Sequence, residues 1–470
     1  MSAKGSNGQK TSCDLLIVNA YVLTVDAQRR VLPSGAVAIS GARIVAVGPQ
    51  SEVRARFSGK RVLDARGGVV HPGMVDAHLH STIHLSRTAF PDDPKINSFE
   101  KFAGWINQLT DEDEFANSLV ACAEMARNGF TCAMEPGTVF EPDALAAAAE
   151  AVGVRVSLSD PYVWDTTEGR NTMVNHIKRA PPDAQRARGL LGKQLVRNKV
   201  KDGLVHAHVC IYGSGSASEE LEIEAKRTAD ANGVILNQHQ NFSPTQVPFD
   251  DQRFGGKPVL MRFAELGVLG PNVNFTHMNV IRDEEVEPIV KSGISITWQP
   301  GNYQYYGIAQ TQKSRMADFL DRGVNVTLGV DLAKIWTFGD MARIAYLVAR
   351  QSGGYISCER LLEMQTIGAA RALRLDREIG SLEVGKRADI VIRDPDLVEG
   401  LPGLNPVIQL VMLTQSRAID TVICNGAIIL RGGHLTRCDE RWIHDTARAS
   451  IARMAPLLDL KVGTRWGANA

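Results

Sequence analysis

The sequence predicts an α/β protein whose central part is a (β/α)8 barrel, the TIM-like architecture. Three observations support this fold class: eight apolar, strand-like segments run through the middle of the chain, helical patterns separate them, and short strand patterns cluster at both ends. Strands that alternate with helices favour parallel pairing through right-handed crossovers. With 470 residues the chain is long enough for such a barrel and a second, smaller domain.

The two ends of the chain share one pattern of short strands and turns. Strands are predicted at 14–18, 36–39, 43–48 and 61–64, and again at 388–392 and 419–430. Closely spaced short strands indicate a small β unit. A terminal helix is predicted over 441–458.

Eight strands and six helices are predicted between those ends. The strands are 72–80, 130–135, 153–158, 203–210, 233–239, 272–277, 293–299 and 324–331. The helices are 112–128, 143–151, 218–232, 257–266, 283–292 and 311–322. In a barrel of this kind the active-site residues lie at the carboxyl ends of the strands.

Composition excludes several classes of function. Hydrophobic residues make up 44% and charged residues 22%, and 52 basic residues balance 52 acidic ones. Without a basic stripe, neither nucleic acid nor a membrane surface is an expected partner. The first eleven residues are polar and no run of about 18 apolar residues occurs, so a soluble, cytoplasmic protein is expected. The seven cysteines form no C-x-x-C pair and are expected to be reduced.

The segment from Val70 to His80 ends in a His-x-His pair. Side chains alternate faces along a strand, so Asp76, His78 and His80 are predicted to share one face. Neutral imidazole is a common ligand of transition metals. Taken alone the pair is a weak signal, since many such pairs are surface residues or satisfied core groups.

Three later segments also read as apolar strands that end in a side chain able to bind metal. They are 233–239, 272–277 and 324–331, which end in His239, His277 and Asp331. The carboxyl ends of parallel barrel strands meet at one face. We therefore expect these three side chains to converge with His78 and His80.

The order His-x-His, His, His, Asp, followed by Gly-Ser-Leu-Glu-Val-Gly-Lys-Arg-Ala-Asp-Ile-Val-Ile at 380–392, resembles the metal-dependent amidohydrolase superfamily. The resemblance covers nearly the whole chain and implies a barrel with a small β-sandwich domain built from both chain ends. The implied organisation is a disordered tail at 1–12, sandwich parts at 13–71 and 381–438, the barrel at 72–380, and a helix and tail at 439–470.

The resemblance to the single-metal branch also implies a ligand set and roles. His78, His80, His239 and Asp331 would hold one divalent ion, expected to be zinc, with iron, cobalt and manganese open. Such an ion lowers the pKa of bound water to about 7. His277 would help to deprotonate the water or polarise the substrate, and Asp331 would carry the proton to the leaving group. Two-metal branches use a carboxylated lysine on strand four, and 203–212 contains no lysine.

Other polar residues have competing interpretations. His206 and His208 on strand four are either packed and hydrogen-bonded, or His208 contacts substrate or water, or the pair binds metal. Glu135, at the end of strand two, is either a group that supports the metal ligands or a plain buried acid. His84 is a candidate for the pocket wall. The remaining histidines are expected to be structural or exposed: His71, His176, His434 and His444.

One position departs from the family pattern. Deaminases of this branch usually have a glutamate three residues after the strand-five histidine, where it protonates a substrate ring nitrogen, and here that residue is Phe242. We therefore expect hydrolysis of an apolar amide, urea or carbamate, as in phenylurea and thiocarbamate (molinate) hydrolases that degrade xenobiotics. Two alternatives stay open: a heterocyclic deaminase or dechlorinase that uses another acid such as Glu135, and a non-catalytic scaffold, although no ligand has been lost.

Aromatic residues crowd the predicted loops after strands three, five and seven, which indicates either rim packing or an apolar pocket for a small molecule. The segment Pro300-x-Asn302 with Gly307 resembles the family's strand-seven loop. The connection 165–201 is a candidate lid. A homo-oligomer is expected. The predicted substrate contacts are Phe242, Trp298, Asn302, Tyr303, His208 and His84.

Overall fold

The computed structural model of the chain describes residues 10–90, 92–93, 99–167, 172–332, 336–461 and 463. Its strands, in chain order, are β1 Thr11–Leu23, β2 Val31–Ser40, β3 Arg43–Pro49, β4 Phe57–Asp64, β5 Val69–Pro72, β6 Met74–Asp76, β7 Phe130–Met134, β8 Arg155–Leu158, β9 Val205–Ala207, β10 Val209–Gly213, β11 Leu236–Gln240, β12 Val273–His277, β13 Ser295–Trp298, β14 Asn325–Leu328, β15 Ile390–Arg393, β16 Ile419–Cys424, β17 Ala427–Arg431 and β18 His434–Leu435.

The α-helices differ widely in length. They are α1 Gln50–Arg56, α2 Phe99–Gln108, α3 Asp111–Arg127, α4 Pro142–Val152, α5 Thr172–His176, α6 Ala184–Leu190, α7 Glu219–Asn232, α8 Val247–Gln252, α9 Val259–Glu265, α10 Asp283–Ser292, α11 Pro300–Tyr305, α12 Met316–Asp321, α13 Met341–Gln351, α14 Cys358–Met364, α15 Ile367–Ala372, α16 Pro406–Ile408 and α17 Glu440–Leu457. Within the described part of the chain, no helix is both long enough and apolar enough to cross a bilayer.

Strands from both chain ends form one mixed sheet, in the order β18-β17-β16-β15-β5-β1-β2-β3, with β4 also paired to β1. The two ends meet where β5 pairs with β15. Ile17, Val37 and Ile390 are fully buried and belong to one apolar cluster that both ends supply. The prediction of a β domain built from both chain ends is confirmed.

Eight parallel strand positions form the barrel, as predicted. The chain of pairings runs from β6 to β9 and from β10 to β14. Strand four is divided at His208, so that β9 pairs with β8 while β10 pairs with β11. The barrel closes through a parallel bridge between Leu79 and Asp331, and the Asp331 N–H donates to the His78 carbonyl at 2.8 Å.

The predicted strand 72–80 is in fact divided between the two domains. Gly73 separates β5, in the end sheet, from β6, in the barrel. A Cβ atom at Gly73 would lie 2.2 Å from the Thr131 hydroxyl oxygen, so the close approach of β7 requires glycine here. The division places His78 and His80 just beyond the end of β6.

The six predicted barrel helices are present, with shifted ends. The bounds of α10 match the prediction, whereas α12 begins at Met316 rather than 311. Local sequence signals explain several ends: the Thr110 side chain caps α3, Ser218 caps α7, and Gly153 ends α4 in the left-handed conformation. Several short helices, among them α11, were not predicted.

Candidate metal centre and active site

Three histidines converge at the carboxyl end of the barrel. The Nε2 atoms of His78 and His239 lie 3.1 and 3.3 Å from Nε2 of His80. His78 and His239 are buried and His80 is partly buried, and the three form a group that could hold a single metal ion. These are three of the four residues expected to bind metal.

The other ring nitrogens of two histidines have partners that set their tautomers. His239 Nδ1 lies 2.9 Å from the backbone oxygen of Tyr212, which can only accept, so Nδ1 carries the proton. His80 Nδ1 lies 2.8 Å from the Thr138 hydroxyl oxygen, and that hydroxyl donates to Glu135. Thr138 therefore accepts from His80, and the Nε2 lone pairs of both rings face the centre.

The ring nitrogens that face the centre are suited to binding a cation. Burial lowers the pKa of His239 to about 4 and holds that of His78 well below its usual value, so both rings are neutral near pH 7. Neutral imidazoles whose lone pairs point at one another within 3.3 Å repel unless a positive ion lies between them. Glu135 supports this arrangement through Thr138, and burial raises its own pKa to about 7.

Asp331 completes the fourth side of the group. Its Oδ1 lies 3.3 Å from Nε2 of His80, and its Oδ2 accepts a hydrogen bond from the Asn302 amide.

Asp76, which the sequence places on the same strand as His78, has a different role. Its carboxylate accepts from the backbone N–H groups of His78 and Val330, and so joins the first and last barrel strands beside the centre.

His277 faces the centre without the contacts of a ligand. Its Nδ1 lies 3.9 Å from Oδ2 of Asp331, and among the described residues this buried nitrogen has no hydrogen-bond partner. Its backbone N–H donates to the Gln299 side chain at 3.0 Å. His277 and Asp331 both have positive φ values, 76° and 59°, a strained conformation common at functional sites.

A cavity of about 430 Å³ opens onto this group. Its size suits a small organic ligand. Phe242 lines it, and its ring centroid lies 4.7 Å from that of His277. Asn302 lines it as well, and so do Phe99, Tyr212 and Tyr306, which were not among the expected contacts.

Four residues that the sequence predicted as substrate contacts are not among the residues that line this cavity. Trp298 is fully buried, and the Tyr303 hydroxyl donates to the backbone oxygen of Gln312. The His208 ring bonds to the Ser157 hydroxyl at 2.9 Å, and the buried His84 pairs with Glu124 at 2.9 Å. His206 Nε2 lies 3.3 Å from the guanidinium group of the buried Arg155, and His206 is not part of the histidine group that could hold a metal ion.

The connection 165–201 packs beside the cavity where it is described. Met173 lines the cavity, and the Trp164 indole donates to the Ala180 carbonyl at 2.7 Å. Residues 168–171 lie outside the described part. Movement of this segment as a lid stays a prediction.

A barrel with a cavity at the carboxyl ends of its strands, and three histidines that could hold one metal ion beside that cavity, is the arrangement of a metal-dependent hydrolase. The sequence pattern of the Amidohydrolase family matches residues 69–429, and that of a bacterial imidazolonepropionase-like composite domain matches 35–57. The chain belongs to the amidohydrolase family, and it is a metal-dependent hydrolase that acts on carbon–nitrogen bonds.

Relatives align over almost their whole length. A 5-methylthioadenosine/S-adenosylhomocysteine deaminase of Syntrophobacter fumaroxidans is 30% identical over 443 residues, which cover 90% of this chain and 94% of the relative. A 5'-deoxyadenosine deaminase of Methanosarcina mazei is 28% identical over 453 residues, 94% of this chain and 98% of the relative.

Solved structures share the fold at lower identity. A zinc-bound adenosine deaminase from Xanthomonas campestris has a TM-score of 0.85 at 23% identity, covering 95% of this chain and all of the other. A variant of atrazine chlorohydrolase from Arthrobacter aurescens, complexed with zinc and atraton, has a TM-score of 0.78 at 23% identity, covering 93% and 100%. Both neighbours hold zinc in a fold like that of this chain.

Proposed function

We propose that this chain is a zinc-dependent deaminase that hydrolyses the exocyclic amino group of a heteroaromatic small molecule. The observation that carries the proposal is the near-full-length match to relatives named as deaminases of adenine nucleosides. The site agrees with it, because the histidine group opens onto a cavity large enough for a bicyclic ring.

The roles of the side chains follow from their contacts. A zinc ion held by His78, His80, His239 and Asp331 would supply water acidic enough to attack at neutral pH. The Asp331 carboxylate, oriented by the Asn302 amide, is placed to accept the water proton and return it to the departing amine. His277 is placed to hydrogen-bond the attacking oxygen, since its buried Nδ1 faces Asp331.

Phe242 is the specific observation that favours the other candidate, hydrolysis of an apolar amide, urea or thiocarbamate. Its ring occupies the cavity wall beside His277, where branch deaminases usually place a carboxylic acid. The named relatives support the deaminase alternative instead. The second candidate function is therefore supported by the identity of residue 242 alone.

A paired substrate assay on the zinc-loaded protein tests the proposal. We expect ammonia release from adenine nucleosides or other aminoheterocycles to exceed cleavage of N-aryl ureas and thiocarbamates in kcat/KM. The control is Asp331→Asn. This variant should have no turnover, which would show that the measured activity comes from this site. Faster cleavage of the ureas or thiocarbamates would replace the deaminase proposal with the second candidate.

A further inference from the structure

Part of the cavity lining is apolar, and one helix supplies much of it. Phe99, Phe102 and Ile106 of α2 line the cavity. Their spacing of three and then four residues puts them on one face of the helix. Ile83, which follows the His-x-His pair, and Met173 of α5 line the cavity too, and all five residues take part in one apolar cluster. These five residues are called the apolar wall below.

Hydrogen bonds hold α2 against its neighbours. The Trp105 indole donates to the Thr82 carbonyl at 3.3 Å, and the Asn107 amide donates to the carbonyl of His176, the last residue of α5, at 2.7 Å. Apart from Phe99, the residues of the apolar wall are at most 8% exposed. The wall is therefore a preformed surface, as is usual for sites that bind small molecules.

The apolar wall adjoins the metal centre through a pair of aromatic rings. The Phe242 ring contacts His277, with centroids 4.7 Å apart, and Phe99 meets Phe242 edge-on at 6.1 Å. One ring therefore separates α2 from His277. A heterocycle bound with its amino carbon at the histidine group would have its remote substituent against the apolar wall.

Charged groups are scarce around this cavity. Among the described residues that line it, Asp331 is the only carboxylate, and neither lysine nor arginine occurs. Asp331 itself lies at the histidine group, with its Oδ1 3.3 Å from Nε2 of His80. A substituent that carries a charge would therefore lose water without gaining an oppositely charged partner from the described residues, which is costly.

Hydroxyl groups on the substituent would also be poorly served. The polar side chain next to Ile83 is that of Thr82, and its hydroxyl already donates to the Thr138 carbonyl at 3.2 Å. A buried hydroxyl without a partner is unfavourable, whereas an alkyl or aryl group gains from every part of its surface that leaves water. The wall thus favours apolar substituents over sugars.

We propose that the apolar wall is the subsite for an apolar substituent of the substrate. The chain then prefers a neutral aminoheterocycle that carries an alkyl or aryl group to one that carries a free sugar or a charged tail. The chemistry of this subsite follows from the cavity alone, while its assignment to the substrate of a deaminase rests on the proposed function.

Turnover of a matched pair by the zinc-loaded protein is the first test. 9-Cyclopentyladenine and adenosine carry the same heterocycle and a five-membered ring at the same nitrogen, and only adenosine has hydroxyls on that ring. We expect kcat/KM for ammonia release to be at least about 10-fold higher for 9-cyclopentyladenine, because the sugar hydroxyls lose their water partners. Equal values, or a preference for adenosine, would overturn the subsite and leave the proposed function intact.

Ile106→Ala tests the wall itself. We expect KM for 9-cyclopentyladenine to rise about 10-fold and KM for adenosine to change much less, because the variant removes apolar contact with the substituent. Leu109→Ala is the matched control, since Leu109 belongs to the same cluster without lining the cavity, and it should change neither KM. Urea unfolding checks that both variants are folded. Equal changes of the two KM values in Ile106→Ala would contradict the proposal.

Binding of the deamination products gives a test that does not depend on turnover. In calorimetry, 9-cyclopentylhypoxanthine should bind at least about 10-fold more tightly than inosine and with a more negative heat-capacity change, which marks apolar burial. Ile106→Ala should lose this advantage. Equal affinities, an undiminished advantage in the variant, or binding of neither product would overturn the subsite. A wild type that binds 9-cyclopentylhypoxanthine as expected but releases ammonia from no aminoheterocycle would retain the subsite and overturn the proposed function.

Discussion

The geometry of the histidine group depends on hydrogen bonds that the rings of His80 and His239 make on the side away from the group. Tyr212 accepts from His239 through its backbone, and Thr138 accepts from His80 while donating to Glu135. Such outer partners fix both the tautomer and the direction of the lone pair. Glu135, which the sequence left between a supporting group and a plain buried acid, is connected to the centre through one hydroxyl.

The first residue-scale prediction concerns the ion. Alanine in place of His78, His80, His239 or Asp331 should weaken zinc binding by at least about 100-fold, because losing even an outer partner of a ligand can cost that much. Elemental analysis and competition with a chelator measure the effect. His444→Ala, an exposed position on α17, is the control. Undiminished zinc in the four variants would refute the ligand assignment.

The second concerns His277, whose Nδ1 lies 3.9 Å from Oδ2 of Asp331. His277→Ala should retain most of its zinc yet lose about 100-fold or more in kcat, as expected for a group that contacts water and substrate. Zinc content and kcat are measured on the same preparation. Zinc loss in proportion to activity loss would instead make His277 a ligand.

At the scale of elements, the site is assembled where the first and last barrel strands join. The Asp76 carboxylate accepts hydrogen bonds from backbone N–H groups on both sides of the seam between these two strands. Gly329 lies directly against His78. The short helix α11 then brings Asn302 to Asp331 from the adjacent loop. The position of the ligands therefore depends on close backbone contact between elements far apart in sequence.

Gly329→Ala tests this seam. The added Cβ would lie 2.8 Å from Cβ of His78 and 3.0 Å from its backbone nitrogen, so the strands must separate. We expect a loss of about 1–3 kcal/mol in unfolding free energy, together with weaker zinc binding. Gly189→Ala, on α6 with open space around it, should be neutral or stabilising by up to about 1 kcal/mol. Equal behaviour of the two variants would contradict the prediction.

At the scale of the whole molecule, a buried ion pair connects the barrel to the end sheet. Arg155 on β8 contacts Asp389, just before β15, at 3.2 Å, and both side chains are at most 2% exposed. Asp389 also accepts a hydrogen bond from the backbone N–H of Asn425 at 2.8 Å.

The homo-oligomer expected from the sequence stays a prediction.

Arg155→Met should destabilise the protein by about 3–5 kcal/mol, because it leaves the Asp389 charge buried and unpaired. Urea unfolding measures the loss. Arg127→Met, which removes the exposed pair between α3 and Glu440, is the matched control and should cost no more than about 1 kcal/mol. Similar losses in the two variants would show that the buried pair does not stabilise the association of the two domains.

The sequence alone was enough to predict the barrel fold and the histidines that converge at one of its ends. His78, His80 and His239 could be predicted because strand periodicity is local, and parallel barrel strands bring their carboxyl ends to one face whatever the loops do. The loop after strand seven could not be predicted in this way. There the fold forms α11, which turns Tyr303 into the core and Tyr306 to the cavity. Similarly, the division of strand four leaves His208 bonded to Ser157. The orientation of these aromatic and polar groups was decided only by the tertiary structure, because it depends on contacts with residues distant in the chain.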